Sequence, residues 1–168
     1  MERTKYQLLV IDDRMPHLDV ISKMLSESEF FLTDEEVYTD ELLKEIKKHV
    51  HKRYDAYLID VILNNVKEEE RKDISDKLSV LLAKKIRAID TSANILFYTT
   101  TAFPIDQDRL QLVIKNSRLI TIKYNTVLPI EDGETWTEEE KKIVEFNRKK
   151  YSAKVKEILD KWRIYNER

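Results

Sequence analysis

Hydrophobic and polar positions follow two periods along this chain. Four short apolar runs stand between longer mixed stretches: Tyr6 to Ile11, Ala56-Tyr57-Leu58-Ile59, Ile95-Leu96-Phe97-Tyr98 and Leu119-Ile120-Thr121-Ile122. Runs this short, bounded by polar sequence, predict strands buried on both faces. Between them apolar residues recur every three or four positions. Leu18, Ile21 and Leu25 predict a helix that opens at Pro16, where a missing N–H costs nothing. Leu42, Leu43, Ile46 and Val50 predict a second helix, with Lys47-Lys48-His49 and His51-Lys52-Arg53 supplying positive charge at its C-terminus. Ile74, Leu78, Leu81, Leu82, Ile86 and Ile89 predict a third, with Asp73 or Ser75 as its N-cap. A fourth is predicted from Pro104 through Leu110, Val113 and Ile114.

Two stretches carry weaker signals. Between Phe30 and Thr39 a short strand fits at Phe30 to Leu32 or at Val37 to Thr39, with Asp34-Glu35-Glu36 on an exposed side. From Asn64 to Asp73 the charge run Lys67-Glu68-Glu69-Glu70-Arg71-Lys72 reads as a polar loop. Strands alternating with helices predict a parallel sheet covered on both faces, joined by right-handed crossovers.

The tail has a different texture. Pro129 and Gly133 punctuate a loop, and Thr137-Glu138-Glu139-Glu140 is a capping box that starts a helix. Val144, Tyr151, Val155, Ile158, Trp162 and Tyr165 form a stripe resembling an a/d seam, interrupted at Arg148. Such a seam serves a coiled-coil dimer or docking on its own domain equally well. The expected organisation is an α/β domain over 1–128 and a helical extension over 129–168.

Composition narrows the function. At 168 residues and 42% hydrophobic content the chain suffices for one domain with a real core. Charged residues make up 37%, but the net charge is only −2, which gives no reason to expect nucleic acid as a partner. The basic stretch Arg148-Lys149-Lys150, Lys154 and Lys156 is flanked by the acids Glu145, Glu157 and Asp160. Absence of cysteine excludes disulfides and thiolate metal sites and fits a reducing compartment. No apolar stretch approaches the roughly 20 residues needed to span a bilayer, and no signal-peptide pattern precedes Tyr6. A soluble, cytoplasmic protein without a membrane partner is the expectation. Gly133 is the only glycine, so neither a GxxxxGK[ST] phosphate loop nor a GxGxxG turn can form.

Chemistry collects where the apolar runs end. The first runs into Asp12-Asp13, the second into Asp60 and the third into Thr99-Thr100-Thr101, while the fourth is followed by Lys123. Ligands of open α/β sheets sit at the carboxyl ends of the strands. Three carboxylates, a hydroxyl and an ammonium group at one sheet edge suit a divalent cation together with a phosphoryl group. Without the cation, like charges at close range resist joint ionisation, so one acid is expected to hold a proton or the site to loosen. His17, His49 and His51 lack metal-ligand spacing and read as surface residues.

From about Lys5 to Tyr124 the order and spacing of these four motifs resemble the receiver domains of two-component response regulators. The resemblance implies a flavodoxin-like (CheY-like), doubly wound, five-stranded parallel sheet with helices on both faces, followed here by a long C-terminal helix. It implies Mg2+ held directly by Asp13, Asp60 and the backbone carbonyl of Ile62, with Asp12 acting through water. Asp60 is then the phosphoacceptor, Lys123 a charge stabiliser, and Thr99 the hydroxyl that binds a phosphoryl oxygen; a shifted register gives that role to Thr100. The implied donor is a histidine kinase or phosphotransfer protein, and the output a contact with a downstream protein, or a homodimer through the C-terminal helix. The chain departs from the family pattern at Tyr124, where proline usually follows the lysine, at Thr100, where a small residue is usual, and at Ile120, in place of a switch aromatic. Asn64-Asn65 replaces the usual turn after the acceptor. A phosphorylation-independent interaction module is the alternative those departures suggest. A Mg2+-dependent phosphohydrolase would want a second acid where Arg14 stands.

Overall fold

A computed structural model describes residues 5–50, 54–100, 104–127 and 137–166. Thr101, the basic run at 51–53 and the loop at 129–133 lie outside them. The apolar runs are strands: β1 (Tyr6–Asp12), β3 (Ala56–Asp60), β4 (Ile95–Thr99) and β5 (Arg118–Thr121). The remaining strand, β2 (Phe31–Val37), runs straight through the acidic triplet instead of stopping on either side of it. All five pair in parallel in the order β2-β1-β3-β4-β5. An edge strand needs only one satisfied ladder and tolerates charge on its open side. Its acids also find partners, Asp34 accepting from the Tyr54 hydroxyl and Glu35 from the Ser22 hydroxyl, each at 2.7 Å.

Strand alternation sends side chains to two cores. Leu9, Ile11, Tyr57, Ile59, Ile95 and Phe97 face α2 (Asp40–Glu45), α3 (Lys47–Val50), α5 (Leu78–Ile89) and α6 (Gln107–Val113). Leu8, Val10, Leu58, Leu96, Tyr98 and Ile120 face α1 (Met15–Ser26) and the final helix, α7 (Glu138–Asn166).

Several helix boundaries differ from the periodic reading. The second helix is two short ones that part at Ile46. The fourth begins at Gln107 rather than Pro104, because Asp106 caps it by accepting from the Arg109 N–H at 3.1 Å. The presumed polar loop contains another helix, α4 (Val66–Arg71), capped by Asn65. What anchors α4 is a buried acid, which apolar periodicity cannot reveal. The Glu69 carboxylate accepts from Lys72 Nζ at 2.6 Å and from the Leu78 N–H at 3.0 Å, and Lys77 Nζ donates to its carbonyl. Glu69 thereby caps α5 from outside. Asp73 and Ser75 do not cap it; Ile74–Asp76 is a separate 3-10 turn.

The capping box forms, with Thr137 Oγ1 accepting from the Glu140 N–H at 3.1 Å. The apolar stripe of α7 lies on its own sheet: Val144, Val155 and Leu159 are buried, and Tyr151, Ile158 and Trp162 pack beside them. Arg148, which interrupts the stripe, donates through Nε and Nη2 to the Val127 carbonyl at 3.1 and 3.0 Å. Ser152 donates to the Met24 carbonyl at 3.1 Å, and the Tyr6 hydroxyl to Asp160. The interruption is therefore part of the docking.

Candidate functional site

β2 lies on one side of β1 and β3 on the other, so the winding of the chain reverses at β1. A crevice opens where the winding reverses, beyond the carboxyl ends of β1 and β3. Ile11 lies opposite Ile59, so Asp12 and Asp60 follow as neighbours on the face that carries Leu58 and Tyr98. Asp12 is fully buried and Asp60 is 4% exposed. Asp13, half-buried, begins the following loop and accepts the Asn64 N–H on Oδ2 at 3.0 Å. Asn64 adopts φ 68°, a left-handed conformation that asparagine tolerates better than most residues.

Each Asp12 oxygen has a donor. The Arg14 N–H reaches Oδ1 at 3.0 Å and the Tyr98 hydroxyl reaches Oδ2 at 2.6 Å. Asp60 Oδ1 accepts the Ile62 N–H at 3.1 Å. Burial, reinforced by the charge of Asp12, pushes the Asp60 carboxyl well above the ordinary carboxylate range. Asp13 is pushed up to about 6, first by burial and then by neighbouring Asp12. Asp13 Oδ1 is buried with no hydrogen-bond partner. A cation would relieve all three conditions at once.

A cavity of about 680 Å3 opens over Asp60, with Arg14, His17, Ile62, Thr100 and Lys123 among its walls. Lys123 is exposed, and its backbone is fixed from two sides. Its N–H donates to the Tyr151 hydroxyl of α7 at 3.1 Å, and its carbonyl accepts the Thr126 hydroxyl at 2.6 Å. Thr99 is buried at the end of β4, where its carbonyl accepts the Ile122 N–H at 2.9 Å. Of these two threonines it is Thr100 that lines the cavity. Ile120 is buried in the core under α1 and α7.

Two residues of this site escape a sequence reading. Tyr98 reads as one more strand residue, although a tyrosine inside a wholly buried strand needs a partner for its O–H. His17 corrects the expectation of a surface histidine. Its side chain is 13% exposed, with Nδ1 4.0 Å from Asp12 Oδ2, and its ring packs on Tyr124 with centroids 4.0 Å apart. Burial, with help from the charge of Arg14, lowers its pKa and favours neutral imidazole. Ligand atoms of Asp12, His17 and Asp60 all lie within 4.8 Å of one another. His49 lies instead 3.4 Å from Glu36 of β2, and His51 is outside the described residues.

No family model and no curated protein matches the chain. Solved structures do. A CheY-like response regulator receiver domain protein from Methanospirillum hungatei aligns over 96% of this chain and 99% of its own, with a TM-score of 0.60 and 16% identity. The response regulator domain of Thermotoga maritima CheB aligns over 92% and 96%, with a TM-score of 0.57 and 10% identity. A BeF3-activated DrrB receiver domain aligns over 94% and 99%, with a TM-score of 0.55 and 11% identity. The fold is the receiver fold. Within that receiver fold, coverage of 96% takes in most of α7 as well as the sheet. Identities this low carry the architecture and leave the chemistry to the residues themselves.

Proposed function

We propose that the protein is a response-regulator receiver that accepts a phosphoryl group on Asp60 from a phosphohistidine donor, in a Mg2+-dependent step. One observation carries this reading: a buried carboxylate at the end of the central strand, beside two others, on the floor of a cavity that Lys123 also lines. The residues fit the cation. Asp13 Oδ1 is a buried oxygen with no partner, and Asp12 raises the pKa of both other acids. Asp12, Asp13, Asp60 and the Ile62 carbonyl would hold it, an all-oxygen set of the kind Mg2+ takes. When bound, the ion supplies positive charge against the phosphoryl oxygens.

A carboxylate oxygen of Asp60 attacks phosphorus, an O–P bond forms, and the P–N bond to the donor histidine breaks. The donor imidazole leaves with the bonding pair and takes a proton. Lys123 offsets charge on the transferred oxygens, and the hydroxyl of Thr99 or Thr100 donates to one of them. The protein is thus a signalling phosphoacceptor in the cytoplasm, supplied by a histidine kinase or phosphotransfer protein. Output is a protein contact. Because the α7 stripe is packed on the sheet, a homodimer through α7 would use its outward face, where Ile143 and Phe146 are exposed.

Intact mass after incubation with Mg2+ and acetyl phosphate tests the reading. One labile phosphoryl adduct is expected on the wild type and none on Asp60→Asn. Beryllofluoride, which activated the DrrB receiver, is the second reagent to try.

A phosphorylation-independent module has its own support in the non-aromatic Ile120, buried in the core, and in Thr100, which narrows the cavity over Asp60. Under that reading Asp60→Asn leaves binding to the downstream protein unaltered.

A further inference from the structure

Beside the three carboxylates stands an imidazole to which the phosphoacceptor reading gives no role. His17 sits in the first turn of α1, directly after Pro16, whose fixed φ sets the helix start. Its ring rests on Tyr124 at 4.0 Å between centroids, which holds it against the cavity wall.

Nδ1 of His17 is buried and has no hydrogen-bond partner, an unfavourable state unless something arrives to use the lone pair or the N–H. Its nearest carboxylate oxygen, Asp12 Oδ2, is 4.0 Å away. That is too far for a hydrogen bond. It suits two atoms that share an ion. Donors about 2.1 Å from one metal stand roughly 3 to 4.2 Å apart, depending on the angle between them. With Asp60 added, one ligand atom from each residue falls within 4.8 Å of the others, so a small closure completes the set. Asp12 Oδ2 keeps its bond from Tyr98, since a carboxylate oxygen has two lone pairs.

We propose that His17 is a metal ligand, and that with Asp12 and Asp60 it forms a one-nitrogen, two-carboxylate centre selective for Mn2+ over Mg2+. Mg2+ favours oxygen and keeps its waters, whereas imidazole suits first-row transition ions. The inference rests on the phosphoacceptor reading and amends it in one respect: the ion beside Asp60 is then Mn2+ with His17 in its shell, where the all-oxygen set alone would hold Mg2+.

The test is Mn2+ titration of the full chain followed by electron paramagnetic resonance, with spin-echo modulation reporting nitrogen bound to manganese. His17→Phe keeps an aromatic ring on Tyr124 and removes both nitrogens. Nitrogen modulation is expected in the wild type, shifted by 15N-histidine labelling and absent in His17→Phe. Mn2+ affinity should fall roughly 10-fold or more, at least what loss of an outer partner costs, while Mg2+ affinity hardly moves. If His17→Phe does not fold, the isotope shift and His17→Ala give the same answer. Bound Mn2+ without nitrogen modulation, modulation that survives loss of His17, or no Mn2+ binding would overturn the proposal. Acetyl phosphate treatment of the same samples separates the two readings. An Asp60 adduct without nitrogen modulation sinks only the histidine ligand; modulation without an adduct sinks only the phosphoacceptor.

Discussion

Tyr98 and Asp12 are joined across the width of β3, phenol oxygen to Oδ2 at 2.6 Å, with both side chains fully buried. Burial, then the charge of Asp12, holds the phenol far above its ordinary pKa, so it remains a donor. The bond ties β4 to β1 over β3 and fixes one of the three acids.

Removing that donor has a defined cost. Tyr98→Phe preserves the ring and leaves a buried carboxylate oxygen short of its partner. Hydrogen bonds to charged groups contribute about 1.5–3 kcal/mol, and a loss of that size is expected in urea unfolding with EDTA present. An unchanged midpoint would mean that Asp12 is held by other contacts.

The acid cluster sets a pH dependence. Asp13 titrates at about 6 in the folded chain against an ordinary 3.8, and Asp60 is also raised. Between those values the folded chain binds more protons than the unfolded chain. Stability of the metal-free protein is therefore highest below the unfolded value and is lost as pH rises through about 6. Thermal midpoints in EDTA should fall from mildly acid to mildly alkaline pH. Asp60→Asn should reduce that slope and raise the midpoint by a few degrees near neutrality, since it removes a buried like charge. A midpoint lowered by Asp60→Asn would contradict the repulsion argued here.

Docking of α7 is equally measurable. Leu159 is 2% exposed in the core that the helix shares with α1. Leu159→Ala should destabilise by about 2–5 kcal/mol in chemical denaturation. A change of a few tenths would mean that the helix does not rest on the sheet in solution.

The Lys123 side chain is exposed on the cavity wall, and among the described residues it makes no ion pair. Lys123→Ala should leave the fold intact while slowing phosphoryl uptake from acetyl phosphate roughly 10²-fold, the scale of losing one charge-stabilising donor. Equal rates would remove the lysine from the reaction.

The strands and their terminal acids were legible because burial on both faces forces unbroken apolar runs, and the end of each run marks the sheet edge. β2 was not, since an edge strand with Asp34, Glu35 and Glu36 lacks that mark. α4 was hidden for a related reason: Glu69 stabilises it through buried hydrogen bonds and not an apolar face. His17 was hidden because Tyr124, on which its ring packs, is distant in sequence, and the two meet only where α1 and the end of β5 converge on the cavity. Metal-ligand spacing along a chain cannot register a site assembled from separate strand ends.

The central claim is that Asp60 carries the phosphoryl group. Borohydride reduction after incubation with acetyl phosphate and Mg2+, followed by peptide mass mapping, tests it most directly. Reduction converts an aspartyl phosphate to homoserine, and the account predicts homoserine at position 60 only. Homoserine at Asp12 or Asp13, or at no position while an adduct is present by mass, would contradict it.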